Sequence, residues 1–182
     1  NSLSLLEKYE EAIACYDEAI KLDPEYSDAW NNKANSLDSL EKYEEAIACF
    51  DEAIKLDPEN SFAWYNKANS LDSLEKYEEA IACFDEAIKL YPEYSFAWNN
   101  KGDSLASLGR HEEAIACYDE AIKLDPENSA AWYNKGNSLS LLEKYEEAIA
   151  CYDEVIKLDP ENSAAWNNKG DSLASLGRHE EA

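Results

Sequence analysis

Cysteine and histidine are the first residue types here that could do chemistry. Together they can build an activated nucleophile or hold zinc. The chain has five cysteines, Cys15, Cys49, Cys83, Cys117 and Cys151, and two histidines, His111 and His179. Each cysteine follows the last by 34 residues, which is neither a CxxC metal site nor a disulfide framework. They read as small packing residues in a reducing compartment, the cytoplasm. The histidines stand 68 residues apart with no partner nearby in sequence. Neither a metal site nor a catalytic base is expected of them. The pairs Glu78-Glu79 and Asp85-Glu86 offer carboxylates to a cation but read as a solvated helix face. No nucleophile–base pairing and no Gly-rich phosphate loop occurs, so neither enzymatic activity nor a cofactor is expected.

Asparagine is the stronger candidate. Asn32, Asn66, Asn100, Asn134 and Asn168 form one column, again 34 residues apart. Asn35, Asn69, Asp103, Asn137 and Asp171 form a second. An amide side chain carries two donors and one acceptor, so a row of them can pair with an extended peptide backbone at regular intervals. Tyr65 and Tyr133 add flat contact surface in a neighbouring column, where Asn31, Asn99 and Asn167 stand in other repeats. Asn is a poor filler for an exposed helix, which argues for a ligand rather than a merely solvated face.

These columns must be positioned by a repeat. Tryptophan falls at 30, 64, 98, 132 and 166, and proline at 24, 58, 92, 126 and 160. Four full repeats span 27–60, 61–94, 95–128 and 129–162. Partial ones occupy 1–26 and 163–182, so the whole of 1–182 reads as a single array. In the repeat 61–94, Ser61 is placed to cap a first helix. Trp64, Ala68 and Leu71 then follow on one helical face. The helix breaks at Glu75-Lys76, where other repeats read Gly109-Arg110 and Gly177-Arg178, Gly being usual just past a helix end. A second helix starts near Tyr77 and presents Tyr77, Ala80, Ile81, Phe84, Ala87 and Ile88. Glu78 and Glu79 in its first turn and Lys89 in its last suit the helix dipole. Pro92 stops it. Each repeat is thus a helix–turn–helix hairpin, with Ala68 and Ala80 permitting close packing.

Charge narrows the partners. With 16 basic and 40 acidic residues the net charge is −24. A field of that sign repels phosphate backbones and anionic membranes, so neither nucleic acid nor a membrane surface is expected. No apolar run approaches bilayer length. The start does not read as a signal peptide. Methionine is absent even at position 1, which suggests a trimmed piece of a longer product. Every basic residue falls in one of three columns, represented by Lys67, Lys76 and Lys89. Lys67 lies inside the apolar sector. Its stem is expected to pack while its ammonium reaches a rim or a carboxylate.

The 34-residue period with Trp64, Ala68, Ala80, Phe84 and Pro92, and with Gly102, Gly136 and Gly170 in the glycine position, resembles the tetratricopeptide repeat along the whole chain. Leu71 departs from that pattern by replacing a Tyr, and the Lys67 column by replacing a Leu. Val155 replaces a small Ala, which is expected to widen one hairpin slightly. The resemblance implies an all-α, right-handed superhelical solenoid, with first helices lining a concave groove where extended peptides bind. The groove would then carry Phe62, Tyr65, Asn66, Asn69, Asp72 and Ser73 and their equivalents, with most of the acidic charge on the convex side. The asparagine columns look like the asparagine ladder of protein O-GlcNAc transferases. A carboxylate clamp of the chaperone-tail type needs Lys and Arg in the groove, which this one lacks. A neutral or basic peptide is therefore the expected partner, identity open. End-to-end self-assembly and a non-catalytic arm of a larger enzyme are the alternatives. The chain begins in the middle of a first helix and ends just inside a second. Trp166, Leu173 and Leu176 are expected to lack cover, which fits either a cut array or head-to-tail stacking.

Overall fold

The computed structural model describes residues 2–177, with side chains from Lys8 onward. His179 and Arg178 lie outside the described residues. The described residues form ten helices: α1 (Ser2–Leu22), α2 (Ser27–Ser39), α3 (Tyr43–Leu56), α4 (Ser61–Ser73), α5 (Tyr77–Leu90), α6 (Ser95–Ser107), α7 (His111–Leu124), α8 (Ser129–Leu141), α9 (Tyr145–Leu158) and α10 (Ser163–Ser175). They fall into two compact units, residues 1–92 and 93–182. In the first unit α2 pairs with α3 and α4 with α5, while α1 packs on α2 and α3 on α4. In the second, α6 pairs with α7 and α8 with α9, and α10 packs on α9.

Small residues let the paired helices approach. Ala34, Ala46, Ala68 and Ala80 are wholly buried, as are Phe50 and Phe84. Ala34, Leu37, Ala46, Cys49 and Phe50 form one core, flanked by Ile13 and Trp30. Its counterpart in the second unit is Leu139, Ala148, Cys151 and Tyr152, flanked by Ile115, Trp132 and Tyr133. Val155 is fully enclosed.

The hairpin turn needs one residue in the left-handed region. Gly109 and Gly177 take it at φ 74°, but Glu41, Glu75 and Glu143 hold the same place at φ 58°, 58° and 60°. The turn closes by Lys76 N–H donating to the Leu71 carbonyl at 3.0 Å and Glu75 N–H to Asp72 at 2.8 Å. This is the usual closure of a helix end by a left-handed residue.

Three sequence expectations are corrected. First, the N-cap is Asn60, not Ser61. Its side chain accepts from Ala63 N at 3.1 Å, as Asn128 and Asn162 do from Ala131 and Ala165 at 3.0 Å. Each helix starts one residue earlier than the Ser hydroxyl requires. Tyr26 and Tyr94 occupy the cap position of α2 and α6 without a side-chain bond. Second, α1 runs straight through Glu7-Lys8, where the repeat would place a turn. A left-handed Glu costs about 1–2 kcal/mol, repaid elsewhere by packing a whole first helix on the second. The unbroken helix through Glu7-Lys8 avoids that cost. Third, Leu173 is buried, at 3 % exposure, by α10 packing on α8 and α9. Leu176 is half-buried, and Trp166 alone of the three is exposed.

The lysine column behaves as expected. Lys33 pairs with Asp17, Lys135 with Asp119 and Lys169 with Asp153, each at 2.6 Å, and Lys67 pairs with Asp51. Each of these ammoniums also sits 5.5–5.9 Å from the ring centroid of the Trp three residues before it, a cation–π distance. At Lys33 burial works against the charge, but the Asp17 carboxylate outweighs it and the pKa is raised. The indole N–H of Trp30, Trp64, Trp132 and Trp166 donates to the carbonyl of Pro24, Pro58, Pro126 and Pro160 at 3.1 Å. Within each unit the periodic Trp, Pro and Lys are one device that locks a first helix onto the hairpin before it.

Candidate functional site

The two asparagine columns lie on α2, α4, α6, α8 and α10, and within each unit successive members meet across neighbouring hairpins. In the first unit Asn66 Nδ2 donates to Asn35 Oδ1 at 3.0 Å, and the Ser70 hydroxyl donates to Asp38. In the second, Asn134 Nδ2 donates to Asp103 Oδ1 at 2.8 Å and Asn168 Nδ2 to Asn137 Oδ1 at 2.9 Å. The spacing of the columns shows the periodicity of these bonds but not their direction, which depends on how hairpins stack. Asn66 and Asn134 keep a second N–H and the carbonyl oxygen for another partner. Asn168 spends its other N–H on Tyr133 Oη at 3.0 Å. Asn100 Oδ1 accepts from Asn99 Nδ2 at 3.1 Å. Asn32 is exposed, and Asn69 is half-buried.

Tyr65 and Tyr133 are half-buried. They lean on the second helices, Tyr65 against Phe84 at 5.9 Å and Tyr133 against Tyr152 at 6.1 Å between centroids.

Two residues that the sequence reading passed over complete the site. Tyr118 and Tyr152 take the place of Phe50 and Phe84 and are each 1 % exposed. The Tyr118 hydroxyl donates to Asp103 Oδ1 at 2.8 Å and that of Tyr152 to Asn137 Oδ1 at 2.9 Å. Burial, followed by the Asp103 carboxylate, pushes the Tyr118 phenol far above its ordinary value. Burial likewise pushes Tyr152 up to about 12. A signal was present in the sequence: Gly102 and Gly136 occur with these tyrosines, whereas Ala34 and Ala68 occur with phenylalanines. A Cβ at Gly102 would meet Tyr118 Cε1 at 2.5 Å, and one at Gly136 would meet Tyr152 Cε1 at 2.7 Å. The glycine makes room for a ring held over the first helix by its hydroxyl.

Two open cavities lie along this face of the second unit. One, of about 300 Å³, is lined by Asp103, Ala106, Ser107, His111, Tyr118, Asn134, Asn137, Ser138 and Leu141. The other, of about 310 Å³, is lined by Asn137, Ser140, Leu141, Tyr152, Asn168 and Asp171. His111 lines the same cavity as Asp103, with Nδ1 buried and unbonded. No Lys or Arg lines either cavity.

The cysteines stand apart from this face. All five are free, with Cys15 exposed and the other four buried. Burial raises the thiol pKa of Cys49 and Cys83, and that of Cys151 to about 11. Among the described residues no helix is long and apolar enough to cross a membrane.

An all-α chain of paired helices with a 34-residue period, small residues at each crossing and polar side chains along the first helices defines a class of repeat scaffold. Family models of the tetratricopeptide repeat match residues 65–129, 27–60, 129–162 and 151–182, and a TPR repeat model matches 1–40. The chain belongs to the tetratricopeptide-repeat family, and its fold is the all-α solenoid of that family. No curated protein sequence matches it. Among solved structures it is similar to YrrB, described as a TPR protein with an unusual peptide-binding site. The two share 26% identity at a TM-score of 0.80 over 91% of this chain and 86% of that one. It is also similar to MamA, at 20% identity and TM-score 0.82 over 86% of this chain and 91% of that one. MamA from Desulfovibrio magneticus RS-1 gives 21% identity and TM-score 0.81 over 85% and 88%. The MamA likenesses speak to the fold alone. Fold and family make this chain a protein–protein interaction scaffold.

Proposed function

We propose that the scaffold holds an extended peptide, neutral or basic, along the asparagine-bearing face of its first helices, without catalysing a reaction on it. The carrying observation is the pair of open cavities in the second unit, each walled by ladder asparagines and an aspartate. The half-used amides of Asn66 and Asn134 favour pairing with a peptide backbone, which presents donors and acceptors at short regular intervals. The peptide-binding site named for YrrB, the relative at 26% identity, is consistent with this use of the fold. Asp103 and Asp171, with no Lys or Arg lining the cavities, disfavour acidic segments.

Substituting the ladder itself would disturb its inter-hairpin bonds, so the test fills the cavities instead. Ser107→Trp and Ser140→Trp place bulk in one cavity each without touching an asparagine. Fluorescein-labelled 12-residue peptide pools, one neutral, one basic and one acidic, are titrated by fluorescence anisotropy. Binding of the neutral or basic pool should fall at least tenfold in the double variant while its thermal melt stays within a few degrees. Undiminished binding by a folded double variant would remove the face from consideration.

A further inference from the structure

The ladder consumes donors. Asn134 gives an N–H to Asp103, and Asn168 gives both of its own to Asn137 and Tyr133. The phenol hydrogens of Tyr118 and Tyr152 are spent on Asp103 and Asn137. Of the ladder's polar atoms in the cavity walls, those left for a guest are mostly acceptors: the carbonyl oxygens of Asn134 and Asn168 and the carboxylates of Asp103 and Asp171. Asp103 accepts from Tyr118, Asn134 and Asn99, the last at 3.2 Å. These amide and phenol donors fix the orientation of the carboxylate. An acceptor-lined cavity with an oriented carboxylate suits a guanidinium or ammonium, which carries only donors.

The spacing of the two cavities adds a register. They share Asn137 and Leu141 on α8. The first opens towards α6 and the second towards α10, and α8 touches both helices. Neighbouring helices pack about 8–10 Å apart, so the cavities lie one such step from each other. A polyproline II chain repeats its side-chain direction every three residues and rises about 9 Å in doing so. A β-strand returns to the same face after two residues, at about 6.6 Å, and misses the step.

We propose that the second unit takes its peptide in the polyproline II form and selects two cationic side chains three residues apart, one entering each cavity, beside Asp103 and Asp171. This deepens the peptide-binding reading and rests on it. Leu141, 68 % exposed between the two cavities, packs against the proline rings or aliphatic stems of the two intervening residues.

The test uses fluorescein-labelled proline- and alanine-rich peptides of one composition, with two arginines separated by two, three or four positions, plus an arginine-free control. The three-residue spacing should bind tightest, by about fivefold over the others, since a mis-spaced peptide forfeits one ion pair. Asp103→Asn and Asp171→Asn should each remove about fivefold from that peptide alone, and the double variant should erase the spacing preference. Asn137 shows that an amide in this column accepts the tyrosine hydroxyl as Asp103 does, so these variants fold. Glu78→Gln/Glu79→Gln in the first unit removes equal charge and should change nothing. Equal affinity at all spacings overturns the proposal, leaving attraction to the net charge. The peptide-binding reading then still stands if Ser107→Trp/Ser140→Trp blocks the arginine-free control. If the two Trp substitutions change no peptide's binding, both readings fall.

Discussion

Gly102→Ala tests the coupling between the first helix and the tyrosine beneath it. By helix propensity alone the change should stabilise, Ala being favoured over Gly by about 1 kcal/mol in a helix interior. The structure reverses the sign. The new Cβ would lie 2.5 Å from Tyr118 Cε1, 2.8 Å from Cδ1 and 2.9 Å from Cζ. The ring cannot swing away, because it is buried and its hydroxyl is bonded to Asp103. Overpacking of this kind costs about 1–3 kcal/mol. Displacing the ring forfeits a hydrogen bond to a charged group, about 1.5 kcal/mol at the low end. Setting the propensity gain against these terms leaves a net loss of about 2 kcal/mol. Tyr118→Phe alone should lose about 1.5 kcal/mol, the hydrogen bond. In the double variant the ring loses its tether and can adopt the packing that Phe50 shares with Ala34. It should lie within about 1 kcal/mol of the parent rather than at the sum of the single losses. Urea unfolding followed by circular dichroism measures all four proteins. The reasoning is refuted if Gly102→Ala is as stable as the parent, or if the double variant loses the full sum.

The strained turns give a second expectation. Glu75→Gly and Glu143→Gly should each raise stability by about 1 kcal/mol, because Glu75 and Glu143 hold left-handed backbone at φ 58° and 60°, whereas Gly109→Glu should lower it by as much; thermal melts of the three variants decide. Alkaline pH should destabilise the second unit. Cys151, held at about 11 against 9.0, and Tyr152, at about 12 against 10.0, both have folded values raised above unfolded ones. Their contribution is complete below pH 9 and is lost as pH rises from about 9 to 12, by roughly 2 kcal/mol for each group. Unfolding midpoints across that range should fall, and Tyr152→Phe should flatten the upper part of the decline; an unchanged slope counts against the assignment. Thiol titration with a chromogenic disulfide at neutral pH should label Cys15 within minutes and leave the four buried cysteines until denaturant is added. Finally, Lys67→Met should cost about 1 kcal/mol or less despite breaking both the Asp51 pair and the Trp64 contact, since the Asp51 side chain is 54% exposed and the pair is screened; a loss above 3 kcal/mol would mark the lysine as a core residue.

The hairpins were legible because their signals are local and repeated. Trp64, Ala68 and Leu71 set one face, Ala80, Phe84 and Ala87 the other, and Pro92 the stop. The lysine in the apolar sector was also legible, since its angle around the helix demanded a carboxylate at its tip. What stayed hidden needed a second hairpin or an exact backbone angle. The cap at Asn60 rather than Ser61 turns on one residue of helix phase. The continuous α1 reflects a turn that only tertiary packing can stabilise. The asparagine columns were visible, yet their mutual bonding was not, because Asn66 and Asn35 stand 31 residues apart and meet only when hairpins stack. The Gly–Tyr and Ala–Phe pairings were printed in the sequence, but their meaning rests on a distance of 2.5 Å that periodicity cannot supply.

Within each of the two units the bonds between successive hairpins run one way. Asn66 gives to Asn35, Asn134 to Asp103 and Asn168 to Asn137. Lys33, Lys67, Lys135 and Lys169 likewise give their protons to an aspartate of the preceding hairpin. Each of these hairpins therefore carries a plug facing backward, and the hairpin before it carries the matching socket. A copied repeat inserted at a repeat boundary meets a socket on one side and offers one on the other, with no compensating substitution on either neighbour. A sequence whose residues 97–114 return letter for letter at 165–182 is what such one-way joinery permits: duplication lengthens the array without asking the old joints to change.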